Sequence, residues 1–98
     1  MLVAFSVTPI GTATTSVSEG VAEAVRIVRD SGLPNRTDSM FTTIEGEWDE
    51  VMAVVRQAML AASMGTGRVS LVLKADDRTD QHGTMDSKIA AVERRLQA

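Results

Sequence analysis

Apolar residues recur every second position, then at helical spacing, in the order strand, helix, strand, strand, helix, strand, helix. That order predicts an α+β sandwich with a β-α-β-β-α-β core and an additional C-terminal helix. Two observations agree with it. Turn formers stand at the changes of pattern: Pro9, Gly11, Gly32, Pro34, Gly46 and Gly67. The composition, 44% apolar and 23% charged, is that of a globular chain. The 98 residues are expected to form one domain, 1–98, around one core. A domain of this size buries only about 60–70% of its unfolded surface, so self-association is a natural way to bury more.

The first strand is expected from Leu2 to Thr8, with Val3, Phe5 and Val7 on one face and Ala4, Ser6 and Thr8 on the other. Pro9 ends it, because proline cannot donate to a sheet ladder. Ser16 and Glu19 have the spacing of a capping box. The helix after them carries Val17, Val21, Ala24, Val25 and Val28 on one face. Gly32 suits its C-terminal cap, and Pro34 prevents continuation. Two short strands follow, with a tight link near Asp38-Ser39. Met40, Thr42 and Ile44 are expected on one face, and Phe41, Thr43 and Glu45 on the other. Glu47, Asp49 and Glu50 open a second helix where acidic groups suit the dipole. Its apolar stripe is Trp48, Val51, Met52, Val55, Met59 and Ala62, with Trp48 as a packing anchor. Arg68 to Ala75 alternates again, with Val69, Leu71 and Leu73 inward. Asp76 to Gly83 reads as a polar loop. A last helix from Thr84 or Asp86 places Ile89, Val92 and Leu96 on one face.

Two strand-helix-strand units joined by a hairpin give the ferredoxin-like arrangement. Helices are expected over the face carrying Val3, Phe5, Val7, Ile44, Val69, Leu71 and Leu73. The opposite, open face carries Ser6, Thr8, Phe41, Thr43, Glu45, Ser70, Val72 and Lys74. It is too polar for a core and too apolar for plain surface, which suits a ligand or a partner subunit.

Several function classes lack support. The net charge is −3 and the only aromatics are Phe5, Phe41 and Trp48, so no basic, stacking surface for nucleic acid is expected. No apolar run reaches the ~20 residues of a membrane helix. There is no cysteine, hence no thiolate metal site, no cysteine nucleophile and no disulfide. That usage fits a reducing compartment, and the cytoplasm is the expected location. His82 is the only histidine and falls in the polar loop. Asp76, Asp77 and Asp80 are close together but lack the spacing of a calcium loop, so a solvated loop with a local contact to Arg78 is expected. No metal, no cofactor and no catalytic residue is assigned. Gly11, between a strand and a helix start, reads as a simple connecting loop, with main-chain N–H groups that could hold an anion as the alternative. Glu45 is the other polar candidate. With Thr43 beside it, its carboxylate can accept from the N–H groups of an amine-bearing heterocycle; a contact with Lys74 is the alternative.

The segments Pro9-Ile10-Gly11-Thr12, Ser16-Val17-Ser18, Ser31-Gly32-Leu33, Met40-x-Thr42-Thr43-Ile44-Glu45-Gly46-Glu47, and Arg68-Val69 with Lys74-Ala75-Asp76-Asp77-Arg78 occur in that order. Together they resemble the small thiamine-binding protein family, also known as the UPF0045, DUF77 or MTH1187/YkoF-like family. The resemblance runs from Val3 to Leu96. It implies a ferredoxin-like fold, assembly into dimers or tetramers, and binding of thiamine or its hydroxymethylpyrimidine part without catalysis. The matching motif positions are Pro9, Gly11, Ser16, Thr43, Glu45 and Gly46. Many relatives carry an aromatic residue shortly after Ser-Gly-Leu, where this chain has Asn35. Combining both readings, the expected ligand-binding set is Ser6, Thr8, Pro9, Gly11, Ser16, Met40, Phe41, Thr43 and Glu45. Glu45 would meet the aminopyrimidine edge, and Phe41 or Met40 would supply apolar contact. The alternative is an oligomeric structural or regulatory protein whose open face is a subunit interface.

Overall fold

Alternation in the first strand becomes burial: Val3, Phe5 and Val7 are buried, while Ala4, Ser6 and Thr8 are more open. The structure is a computed structural model, and it describes residues 1–11, 18–64, 66–78 and 85–97. Its elements are β1 (Leu2–Pro9), α1 (Ser18–Asp30), β2 (Asn35–Thr37), β3 (Thr42–Glu45), α2 (Trp48–Ala62), β4 (Val69–Asp76) and α3 (Met85–Gln97). The four strands form one antiparallel sheet in the order β2-β3-β1-β4. This is the ferredoxin-like α+β fold with an extra C-terminal helix.

Helices α1 and α2 cover one face of the sheet. Ala24 and Val28 of α1, and Val51, Val55, Ala58 and Ala62 of α2, meet Val3, Phe5, Val7 and Ile44. Val21 and Val25 of the expected stripe are half-buried. Gly20 lets the two helices and the end of β1 close together. A Cβ there would lie 3.0 Å from both the Ala62 carbonyl oxygen and Pro9 Cγ. Gly32 adopts φ +79°, a left-handed conformation that a side chain disfavours, and so ends the α1 region. Ser16 and Val17, and with them the capping box, lie outside the described residues.

Several expectations are corrected. Trp48, expected as a packing anchor, is 55% exposed. It is the first residue of α2, and helical side chains lean toward the N-terminus, so it projects past the end of the core. Ala58, not counted in the stripe, is fully buried. Met40 precedes β3 and is 71% exposed, so it does not share the inner face of Thr42 and Ile44. The last strand runs from Val69 to Asp76. The apolar stripe of α3 is not covered: Ile89, Val92 and Leu96 are 47%, 57% and 75% exposed, and no described residue of α3 is buried.

Candidate functional site

The strands of the sheet differ in length, and that mismatch makes a notch. β3 pairs with β1 only from Leu2 to Phe5, ending at Phe5↔Thr42. β1 runs on to Pro9, paired on its other side with β4. Among the described residues, 6–9 of β1 therefore have a strand neighbour on one side only. Hydrogen bonds alternate along an antiparallel strand. Ile10 N donates to the Arg68 carbonyl, which sets the even residues of β1 toward β4. The Met1 carbonyl accepts from Gly46 N, which sets the odd ones toward β3. The main-chain N–H and C=O of Val7 thus face the side where β3 has ended.

A cavity of about 170 Å³ lies there. Its floor is Phe5 to Thr8 of β1, one wall is Val21, Ala24 and Val25 of α1, and the other is the β2–β3 link from Thr37 to Thr42. The link keeps its shape through Asp38. Its Oδ1 accepts from Met40 N and Phe41 N, each at 2.8 Å, and its own N–H donates to the Phe41 carbonyl at 2.9 Å. Neither side-chain bond uses Oδ2. The N–H groups of Phe41 and then Met40 hold the Asp38 carboxyl below its ordinary value, so it is ionised at neutral pH. Across the hairpin, the Thr37 and Thr42 hydroxyls share a hydrogen bond of 3.1 Å. The described residues of the notch thus offer aromatic rings, a thioether, hydroxyls and one carboxylate.

The structure brings together four of the residues expected from sequence: Ser6, Thr8, Met40 and Phe41 all line the notch. It does not bring the others there. Pro9 is buried against Gly20. Gly11 is exposed beyond the end of β1. Thr43 and Glu45 lie further along β3, opposite Ala4 and Leu2. Glu45 is half-buried, and its N–H donates to the Pro34 carbonyl. Ser16 lies outside the described residues. Glu45 and Lys74 stand on β3 and β4 with β1 between them. Sequence reasoning passed over Asp38 as a functional group. The visible signal was an Asp at the start of a tight link, the position where its carboxylate bonds the main chain ahead.

The polar loop resolves in part. Asp76 pairs with Lys88 of α3, so its main partner is not Arg78, which contributes only a weaker field. The hydrogen bond and then the charge of Lys88 hold the Asp76 carboxyl below its ordinary value. Asp80 and His82 lie outside the described residues. Among the described residues, no three His, Cys, Asp or Glu side chains group as metal ligands. No described helix is long and apolar enough to cross a membrane. Asn35, standing where an aromatic was noted in relatives, turns its amide back to the Leu33 carbonyl at 2.8 Å.

Comparison with known proteins adds a family. A family model described as thiamine-binding protein matches residues 3–93. A UPF0045 protein of Mycobacterium bovis is 56% identical over 97 residues, covering 98% of this chain and 94% of its own. The crystal structure of a hypothetical protein from Methanocaldococcus jannaschii is similar at a TM-score of 0.85 and 29% identity, covering 94% of both chains. A Thermotoga maritima protein proposed for thiamine biosynthesis or salvage superposes at 0.79 with 22% identity, over 93% of this chain and 96% of its own. At that identity the likeness bears on the fold alone.

Proposed function

The chain belongs to the thiamine-binding protein family, and from that premise we propose that it is a non-catalytic binding protein for the hydroxymethylpyrimidine part of thiamine, working as an oligomer in the cytoplasm. The notch is the observation that carries this reading. Small-molecule sites usually enclose roughly 300–1,000 Å³. The notch, at about 170 Å³, is below that range and suits one ring better than the two rings of whole thiamine. Phe41 and Met40 offer a flat apolar contact, and Ser6 and Thr8 offer hydroxyls. An aminopyrimidine has N–H donors, for which the unused oxygen of Asp38 is an acceptor. Where the thiazolium is present, its positive charge gains from the same carboxylate. Among the described residues no histidine lines the notch, and the one carboxylate there is held ionised. The groups there hold and orient a ring, and no proton-transfer step is assigned to them.

Self-association has its own support. β4 is an eight-residue edge strand, and long exposed edges invite pairing with another chain. Its inward residues Val69, Leu71 and Leu73 are only half-buried, and Val72 on the other face is 58% exposed. These surfaces also favour the second reading, an interaction protein without a small ligand.

A thermal-shift titration with hydroxymethylpyrimidine, thiamine and thiamine phosphate separates the two. A ligand at 100 times its Kd adds about 2.7 kcal/mol, and each kcal/mol moves the Tm of a small domain by roughly 4–8 °C. A saturable rise is expected for the pyrimidine. Asp38→Asn should weaken it by roughly tenfold, the scale of a hydrogen bond to a charged group. Glu45→Gln should leave it unchanged; the reverse result moves the site to the open face. No rise with any compound at millimolar concentration leaves the interaction-protein reading.

A further inference from the structure

α3 carries a narrow apolar seam that stays open to water. Met85, Ile89, Val92 and Leu96 follow one another at spacings of four, three and four residues. That is the d-a-d-a spacing of a coiled coil, narrower than the stripe a helix uses to pack on a globular core. We propose that α3 pairs in parallel with α3 of a second copy of this chain, as a short two-stranded coiled coil.

The seam is turned off the core. Ile89, Val92 and Leu96 are exposed, while the least exposed residues of the helix are Met85 and Ala91, and Ala91 lies to one side of the seam. The molecule is drawn out, 51 × 29 × 20 Å, with a radius of gyration of 15.0 Å, against roughly 13 Å for a compact chain of this length. α3 is the helix that stands off, since none of its described residues is buried. The space beside it is open. A groove of about 480 Å³ separates Met85 and Ile89 from Leu2 and Thr43 of the sheet, and side chains of a second helix laid along the seam can enter it.

The flanks of the seam specify the partner and its direction. With Ile89 at a and Val92 at d, the e positions are Asp86 and Glu93 and the g positions are Lys88 and Arg95. One flank is acidic and the other basic, so the surface is complementary to itself. In a parallel pair each g position faces the next e position of the other helix, which sets Lys88 against Glu93 of the second copy. In an antiparallel pair e faces e and g faces g. Glu93 would then meet Asp86, and Lys88 would meet Arg95, and like charges oppose that arrangement. Asp86 and Lys88 already pair with Arg36 and Asp76 of the sheet. Those partners stand behind them on β2 and β4, so the α3 charge is the one nearer the seam. Exposed charges of this kind orient a contact and add little strength; the apolar seam supplies the rest. Its 13 residues span about 20 Å, short of the ~1,200 Å² of a stable interface. The pair therefore forms at high protein concentration, or between copies already joined elsewhere, as through the β4 edge. It builds on the self-association read above and is independent of what the notch binds.

Single cysteines test the pairing cleanly, because the chain has none of its own. In a parallel pair, Leu96→Cys meets its counterpart within the ~7 Å that a disulfide allows, whereas an antiparallel pair holds the two about 16 Å apart along the axis. Under glutathione oxidation at millimolar protein, Leu96→Cys is expected to link roughly tenfold faster than Arg94→Cys, which lies on the outer side of the same helix. Adding Val92→Asp, at an exposed position, to the Leu96→Cys chain should abolish that difference and leave the unfolding midpoint unchanged. Glu93→Lys should weaken the last association step seen in sedimentation by roughly threefold to tenfold. Equal linking rates for Leu96→Cys and Arg94→Cys would overturn the pairing. So would linking that survives Val92→Asp, or tighter association of Glu93→Lys, the mark of an antiparallel pair. A dimer in sedimentation with no preferential linking of Leu96→Cys would remove the α3 pair and leave self-association through β4 standing.

Discussion

Two helices of this chain, α2 and α3, carry apolar stripes of similar spacing and meet opposite fates. On α2, Val51, Val55, Ala58 and Ala62 are fully buried against β1 and β3. On α3, Ile89, Val92 and Leu96 stay exposed. The same contrast divides the sheet. The buried apolar residues lie on β1, α1, β3 and α2, while β4 contributes only half-buried ones. One half of the molecule thus holds the fold together, and the other half presents surface. An amphipathic pattern states that a helix has an apolar side. It does not state whether that side is covered by its own chain, by a ligand or by another copy.

Stability measurements test this division most sharply. Ile44→Ala, at a residue with no exposure, should cost about 2–5 kcal/mol in urea unfolding. Leu96→Ala, at 75% exposure, should stay within about 0.5 kcal/mol. A Leu96→Ala cost that approaches the Ile44→Ala cost and grows with protein concentration would show α3 buried in an assembly.

Acid titration gives a smaller effect and probes the link between the halves. Asp38 and Asp76 both have folded carboxyl values below the ordinary one, through main-chain N–H groups in the first case and Lys88 in the second. Their contribution is therefore complete above the unfolded value, about 3.9, and is lost as pH falls through the lower folded value. Asp38→Asn should be less stable than the parent at pH 7, and the gap should close as the pH falls below about 4. A gap that is constant with pH would mean that the Asp38 charge does not hold the link.

The smallest effect belongs to the ties of α3. Lys88→Met should leave the unfolding midpoint nearly unchanged while speeding amide exchange across residues 85–97. Added salt should do the same to the parent protein, because exposed charges are screened within about 10 Å at 0.1 M. If salt leaves exchange of α3 untouched, the helix is held by something other than its ion pairs.

Part of the candidate site was legible in the chain, in pieces: four of the nine residues expected to bind line the notch. Ser6 and Thr8 were readable as the outward side of a strand, and Met40 and Phe41 as residues beside a tight link. That they share a cavity follows from β3 stopping at Thr42 while β1 continues to Pro9. Strand length mismatch is a property of pairing and leaves no mark on either strand alone. Glu45 shows the opposite case. The alternation put it on the open face, but the register opposite Leu2 carries it along β3, away from the notch.

By itself, then, the sequence determined the order of elements, their approximate ends and the inward face of each strand. Those rest on local physics: side-chain alternation, helical periodicity, and the conformations that Gly32 and Pro34 permit or forbid. Only the tertiary structure decided that β1 separates β3 from β4, that the carboxylate in the notch is Asp38, and that α3 leaves its stripe uncovered. The physical reason is that burial is shared between partners. One face of the sheet is already occupied by α1 and α2, so the last helix meets the other face through charges, and its apolar side is left for whatever binds next.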